Sequence, residues 1–373
     1  MTVSLQIALQ LRSQKQIPRL NLVLVRRFVL AEARVAIDPE MRNTWNASLI
    51  IEVMPATEET RVRLAEIPNL TVSTNAPLSR YTRFGIGGPA DLYAETGNVE
   101  AFIAALAAAR SSGIPTVVIG GGTNLVVSDG GFRGIVLRYR GDRLMAVDGR
   151  VTAEAGAVLQ DLVDFAIERG LQGLETLAGI PGSVGAAVYG NAGAYGHSLS
   201  ERVMNVRFHD GREIRVFTNQ ACQFQYRDSI FKRHKDWIIF STELLLEPAD
   251  AARLRQTAAD ILKVRNEKFP VTMKCAGSIF KNLLLRDLPP AVAAEVPAHA
   301  VREGKVPAAW FLEQVSAKGC QRGDIHVAAY HANLIYNAGA GTASDLRALI
   351  EDLKARVRAR FGFDLEEEVQ YVG

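Results

Sequence analysis

The stretch Gly173-Leu-Glu-Thr-Leu-Ala-Gly-Ile-Pro-Gly-Ser-Val-Gly-Ala-Ala-Val-Tyr-Gly-Asn-Ala-Gly-Ala-Tyr-Gly196 carries seven glycines in 24 residues, too many for the interior of a helix or strand. Glycine contributes no packing and costs conformational entropy on folding, so a run of it marks backbone at positive φ or backbone laid directly against another group. Ile180, Val184, Ala186, Ala187 and Val188 stand between the glycines, unlike the Ser/Gly composition of a flexible linker. The sequence therefore predicts a folded, buried loop whose N–H groups cradle a phosphate or a flat cofactor, with a buried turn between core elements as the plain alternative.

A chain of 373 residues has room for two or three domains and a cleft between them. A formal charge of +3 with 22% charged residues describes an ordinary soluble enzyme, compatible with an anionic small substrate, and nothing in it calls for nucleic acid. Cys222, Cys275 and Cys320 are odd in number, far apart and without Cys-x-x-Cys spacing, so neither a disulfide framework nor a structural zinc site is expected, and a reducing cytoplasm fits best. The six histidines contain no His-x-x-x-His pair, and no metal site is expected. No run of 18 apolar residues occurs, so no helical membrane span is expected. Residues 1–71 read as an N-terminal extension, disordered or wrongly started. Positions 1–31 hold Arg12, Lys15, Arg19, Arg26 and Arg27 and no acid, as a transit peptide would; translated sequence ahead of a true start at Met41 or Met54 would look the same.

From Val72 the pattern is that of a mixed α and β enzyme. Gly85-x-Gly87-x-x-Ala90 matches the dinucleotide fingerprint in form only: residues 80–83 are a charged approach, and Pro89 interrupts the turn where a helix should open. Residues 99–112 predict a helix with Asn98 as N-cap and Gly113 as its stop. Residues 115–119 form a short buried strand that runs into Gly120-Gly-Gly-Thr-Asn124. Helix, strand and glycine turn make a nucleotide-binding half-unit, and with no Gly-Lys-Ser/Thr following, the turn would hold a pyrophosphate through N–H groups alone. Strands are expected at 134–139 and 150–156, and Leu159, Leu162, Val163 and Ala166 define one face of a helix ending near Gly170. Beyond the glycine-rich loop, 203–208 and 214–217 form a hairpin around Asp210-Gly211, 237–246 a strand, and 251–268 an amphipathic helix closed by Pro270. The rest has a different character: a Pro-rich stretch at 289–307, a helix at 308–316, a last helix capped by Ser344 and stopped at Gly362, and a terminal strand over 363–372.

Six motifs occur in order: Gly120-Gly-Gly-Thr-Asn124, Ile180-Pro-Gly-Ser-Val-Gly185, Asn191-Ala-Gly-Ala-Tyr-Gly196, Tyr226-Arg-Asp-Ser229, Gly277-Ser-Ile-Phe-Lys-Asn282 and Glu366-Glu-Glu-Val369. Over residues 72–373 this set resembles the UDP-N-acetylenolpyruvoylglucosamine reductase family, flavoenzymes that complete UDP-N-acetylmuramate. The resemblance implies an α+β fold. Two subdomains, 72–140 and 141–268, would form an FAD-binding region of the vanillyl-alcohol-oxidase (PCMH) type, followed by an α+β substrate-binding domain at 269–373. It also implies FAD and NADPH as cofactors and UDP-N-acetylglucosamine enolpyruvate as substrate; the chain is expected to be a cytoplasmic monomer. Gly120, Gly121, Gly122, Thr123 and Asn124, with Ile180, Pro181, Gly182, Ser183 and Gly185, would hold FAD. Arg227 matches the arginine that binds the enolpyruvyl carboxylate, Ser278 the proton donor, and Glu368 the acid that works with the arginine. Tyr195, Lys281 and Asn282 would lie along the nucleotide sugar. Between Arg227 and Ser278 there is no tyrosine and no long insertion, which resembles the shorter class of the family, without a substrate-covering tyrosine loop. Leu283, where the family often has proline, and Tyr336, where it has a small aliphatic residue, depart from the pattern. Three consecutive glutamates leave a choice of register: on a strand Glu366 and Glu368 share a face and Glu367 takes the other.

The chemistry asks for these residue types. Hydride addition to the methylene carbon of an enol ether leaves negative charge spread into the carboxylate, which a fixed guanidinium binds bidentately as it builds. A hydroxyl then gives a proton to the neighbouring carbon; free serine is too weak an acid, so a neighbour such as Lys281 or a bound water must activate it. Taken singly, Arg227 reads as a surface partner of Asp228, Ser278 as a turn or N-cap serine and Glu368 as the exposed face of an edge strand. Only with the glycine loops do they acquire chemistry. Cys275 has no histidine placed to activate it and reads as a small buried residue. Two rival functions stay open. One is a flavin oxidase of the same cofactor fold acting on an alcohol or sugar, weakened by the lack of a His or Cys anchor for covalent flavin in the first glycine loop. The other is a flavin or nucleotide-sugar sensor without turnover.

Overall fold

The computed structural model describes residues 56–373; the basic stretch 1–31 and the candidate starts Met41 and Met54 lie outside the described residues. The extension drawn as 1–71 is too long. Ala56–Ala65 is a helix with Glu58 and Glu59 in its first turn, paired with Arg61 and Arg63. Leu64 is fully buried in one cluster with Leu92 and Phe102, and the first strand already begins at Thr71.

Three sheets of four or five strands carry the rest. The first runs in the order Thr71–Pro77, Pro89–Thr96, Phe132–Tyr139, Thr116–Ile119, antiparallel in its first pair and parallel in the other two. Parallel strands need a crossover, and the helix Val99–Ser111 supplies it. Asn98 caps that helix, its side chain accepting from Ala101 N at 2.8 Å. Ala101, Phe102, Ala105, Leu106 and Ala109 form the buried stripe, small enough to sit close against Leu92, Ala94, Ile135 and Leu137. Pro89 opens a strand rather than a helix, so the Gly85-x-Gly87 match is no dinucleotide turn.

The second sheet is antiparallel throughout, in the order Ile214–Thr218, Val203–His209, Ile238–Leu245, Arg150–Glu154, Leu144–Val147. Helices Leu159–Glu168, Val184–Tyr189 and Ala251–Lys268 share its core through Leu162, Val163, Val188 and Leu254. Phe102, Tyr139 and Phe240 join the two sheets, their rings meeting edge to face at centroid distances between 5.0 and 5.9 Å.

The third sheet, Lys274–Ser278, Leu334–Asn337, Ile325–Val327 and Gln321–Arg322, is backed by the helix Ala343–Phe361, which buries Leu346, Leu349, Ile350, Leu353 and Val357. The cap of that helix is Thr342 and not Ser344: Thr342 Oγ1 accepts from Asp345 N at 3.0 Å. Ser344 is drawn off to Asp129, whose Oδ2 accepts from its amide at 2.9 Å and its hydroxyl at 2.6 Å, while Asp129 Oδ1 accepts from Ala343 N at 2.7 Å. The helix stops at Gly362, φ 78°. The terminal strand is also shorter than expected. Only Gln370–Val372 is strand, and it pairs parallel with Leu125–Val127. The residues just before it form one isolated β-bridge, Phe280 to Glu367, rather than a ladder. No described helix is long and apolar enough to cross a membrane.

Candidate active site

The two glycine-rich turns face each other backbone to backbone. A Cβ on Gly121 would lie 3.4 Å from Ser183 N and 3.5 Å from Gly182 Cα, and Gly182 itself has φ 130°. Thr123 Oγ1 donates to Pro181 O at 3.3 Å and holds the turns together. A side chain at 121 would press on the facing turn and one at 182 on the Thr123 hydroxyl, so glycine lets the two backbones approach closely, and paired glycine turns of this kind suit a pyrophosphate-bearing group read by N–H donors along their rim. Gly122 and Gly185 answer to the protein itself: a Cβ on the first would overlap the Tyr81 carbonyl, and one on the second would lie 2.8 Å from Ala155 Cβ. Ser183 caps the helix Val184–Tyr189, accepting from Ala186 N at 3.3 Å, and Gly120 comes within 3.3 Å of its hydroxyl by the same construction.

Arg227 sits in a turn closed by Gln225 and Asp228, at φ 54°, in the left-handed region that strains a non-glycine residue. Asn191 Nδ2 donates to Gln225 O at 2.9 Å, Ser229 Oγ to Tyr189 O at 2.7 Å, and Lys232 Nζ to Arg227 O at 2.7 Å, which ties the turn down on three sides. The guanidinium Nη2 donates to Gly193 O at 3.2 Å. Its ionic partner is Glu368, not Asp228: Nε lies 2.9 Å from Oε1, with the two side chains 26% and 24% exposed. The buried Nε–H is not aimed at that oxygen, so the contact is charge against charge and leaves donors for a ligand. Tyr195 stands on the same hairpin as Gly193, at the tip of Gly193–Ala194 and His197–Ser198. Tyr195 and Gly196 form its two-residue turn at φ 54° and 83°, and the tyrosine is 53% exposed.

Glu368 is held from both sides. Its N–H donates to Ile279 O at 2.7 Å, and its carbonyl accepts from Asn124 Nδ2 at 2.8 Å, so one residue connects the third sheet with the first glycine turn. Glu366 pairs with Lys281, whereas Glu367 turns to Lys354 at 2.8 Å and to Tyr371. The alternation puts Glu366 and Glu368 on the cleft side and Glu367 against the last helix.

Ser278 lies just beyond a β-bulge. Cys275 pairs with Tyr336 and Ser278 with Leu334, three steps against two, and Gly277 absorbs the difference at φ 79°. Asn333, 2% exposed, clamps the chain beyond, its Oδ1 accepting from Phe280 N at 2.9 Å and its Nδ2 donating to Phe280 O at 2.8 Å. Among the described residues no side chain bonds to the Ser278 hydroxyl; Lys281, the expected activator, is engaged by Glu366. Asn282 Oδ1 accepts from Ala308 N at 3.2 Å and so fixes the helix Ala308–Gln314, with the Tyr226 hydroxyl against it; burial pushes that phenol's pKa up. Cys275 is fully buried against Ala328 and Leu334.

Two neighbouring residues carry no sequence signature. Asn333 acts through contacts more than 50 positions away in the chain, and Asn124, expected to hold FAD, has its side-chain amide turned to the Glu368 carbonyl more than 240 positions away. Arg265, whose buried Nε has no hydrogen-bond partner among the described residues, lies 3.1 Å from a Cβ built on Gly179. Lys232 could have been found, five residues after Arg227 in the same motif-bearing stretch.

A family model described as an FAD binding domain matches residues 90–215, and one described as the UDP-N-acetylenolpyruvoylglucosamine reductase C-terminal domain matches 269–372. A UDP-N-acetylenolpyruvoylglucosamine reductase of Solibacter usitatus is 70% identical over 312 residues, 84% of this chain and all of the relative. One from Rubrobacter xylanophilus is 38% identical over 80% of this chain and 94% of its own length. The crystal structure of UDP-N-acetylenolpyruvylglucosamine reductase from Thermus caldophilus superposes with a TM-score of 0.62 at 26% identity, covering 82% of this chain and 99% of that one. With an FAD-binding domain ahead of that C-terminal domain, and with relatives matched over nearly their whole length, the chain belongs to the UDP-N-acetylenolpyruvoylglucosamine reductase family.

Proposed function

We propose that the protein is an FAD-dependent oxidoreductase that reduces UDP-N-acetylglucosamine enolpyruvate to UDP-N-acetylmuramate, drawing electrons from NADPH and working as a cytoplasmic monomer. The observation that carries this reading is the position of Glu368. Its carboxylate meets Arg227, its N–H meets the chain beside Ser278, and its carbonyl meets Asn124 of the first glycine turn. In this reading residues 72–140 and 141–268 hold the cofactor and 269–373 present Ser278 and Glu368 to the substrate.

Gly120, Gly121, Thr123, Ile180, Pro181, Gly182 and Ser183 on the two facing turns would hold FAD, which, once reduced by NADPH, would supply the hydride for the substrate's methylene carbon. Arg227 binds the enolpyruvyl carboxylate and carries the negative charge that builds there, a contact made stronger in the transition state than in the ground state. Glu368 holds the guanidinium in orientation. Ser278 delivers a proton to the carbon next to the carboxylate, so hydride and proton together saturate the double bond. Tyr195, Lys281 and Asn282 lie along the nucleotide sugar, where Lys281 exchanges Glu366 for the diphosphate. Relatives named as reductases at 70% and 38% identity favour reduction over the oxidase reading. The test is spectrophotometric: NADPH should be consumed only when UDP-N-acetylglucosamine enolpyruvate is present. Consumption unaffected by that compound, or flavin reduction by simple alcohols or sugars, would refute it.

A further inference from the structure

Lys232, on the short helix Ile230–Arg233, is a partly buried cation that the chemistry above does not use. Its ammonium donates to the carbonyl oxygen of Arg227 at 2.7 Å and lies 5.9 Å from the centroid of the Tyr189 ring. Lys281, Glu368, Asp228 and Glu366 face it. The position is unfavourable for a charge, since burial first and the Lys281 ammonium next pull its pKa below the ordinary lysine value. A cation held in such a place is explained by what it bonds.

Arg227 is the residue at φ 54°, and the Lys232 bond ends on that residue's own carbonyl. The left-handed peptide is what brings Nε to 2.9 Å from Glu368 and Nη2 to 3.2 Å from Gly193 O. Relaxing residue 227 into the helical or extended region would rotate the side chain away from both partners. We infer that Lys232 is a positioning residue: it pins the strained backbone of Arg227 and thereby aims the guanidinium into the cleft, without itself touching the substrate. The inference rests on Arg227 binding the enolpyruvyl carboxylate.

The experiment uses the FAD-loaded enzyme in stopped flow. Lys232→Met keeps a stem of similar length against Tyr189 and removes the donor. Reduction of the flavin by NADPH should be unchanged, while reoxidation by UDP-N-acetylglucosamine enolpyruvate should slow by about tenfold to a hundredfold, the range for losing a hydrogen bond to a charged group. Lys232→Arg, which keeps a cationic donor, should recover most of the rate. The deciding measurement is the double-mutant cycle with Arg227→Ala. With the guanidinium gone, Lys232→Met should have no further effect on reoxidation. Effects that multiply would mean that Lys232 acts by its own contact with substrate or through general stability, and would overturn the inference. Reoxidation unchanged in Arg227→Ala alone would instead refute the role given to Arg227. Should Lys232→Met fail to yield yellow protein, Lys232→Gln takes its place in the same cycle, with the same non-additivity required.

Discussion

Replacing Ser278 with alanine separates catalysis from stability. The hydroxyl is partly exposed at a strand end and no described side chain bonds to it, so its loss breaks no internal contact and should cost less than about 0.5 kcal/mol of folding. The features that place it, the pairing with Leu334 and the Asn333 clamp on Phe280, are made by other atoms and survive the change. The kinetic cost is of a different order. A positioned general acid contributes about 10² to 10⁴ in rate, or roughly 3 to 5 kcal/mol of barrier. Stopped-flow absorbance of the flavin resolves both half-reactions in one mutant: bleaching by NADPH should match the wild type, and reoxidation by the enolpyruvyl substrate should fall by that factor. Substrate affinity should change little, because Arg227 still holds the carboxylate. If reduction by NADPH slowed as much as reoxidation, or the melting temperature dropped by several degrees, the serine would be structural or cofactor-binding and its role as acid would be abandoned.

Gly121→Val and Gly182→Val should each force apart the two closely facing turns and give folded, colourless protein; yellow protein with normal activity would move the cofactor site elsewhere. Asp129→Ala removes the acceptor of three donors at the start of the last helix and should cost about 1 to 2 kcal/mol in urea unfolding at neutral pH. Burial raises the Asp129 pKa, but the Ser344 hydroxyl and the amides of Ala343 and Ser344 outweigh it and hold the group below its ordinary value. Its contribution is therefore complete above the unfolded carboxylate pKa of about 4 and lost as pH falls through the lowered one, so the gap between wild type and variant should close in acid; a gap indifferent to pH would sink the assignment. A chain begun at Met54 should bind FAD and turn over like the full chain, and a large loss of activity or melting temperature would show that residues 1–53 pack on the enzyme.

What was legible in the sequence was local. The Asn98 cap, the apolar face of residues 159–166 and the hairpin at Asp210-Gly211 each depend on neighbours within a turn or two, and the structure has them there. The glycine turns announced a close backbone approach, though not that Gly122 and Gly185 serve protein contacts. Local pattern favours Ser344 as the cap because the competitor that claims it, Asp129, is 215 residues away. The terminal strand is shorter than the pattern suggests because alternation cannot tell a ladder from one isolated bridge at Glu367. The cleft partners Arg227 and Glu368 were named through family resemblance; no local pattern pairs a turn arginine with a glutamate from the far end of the fold. The bulge that aims Ser278 was equally invisible, since a lone glycine in a strand marks many other things.

The bond from Asn124 to Glu368 spans 244 positions, and the parallel pairing of Leu125–Val127 with Gln370–Val372 seals the same gap. Loops of that length close slowly, because chain entropy must be spent before any contact rewards it. During refolding the helices and antiparallel hairpins should therefore form first, and the glycine turn should wait for the Glu368 carbonyl. A refolding time course would register helix content early and catalytic competence late, in a single phase shared with burial of the last strand. The enzyme's activity would then act as a clock for the slowest topological event in its folding.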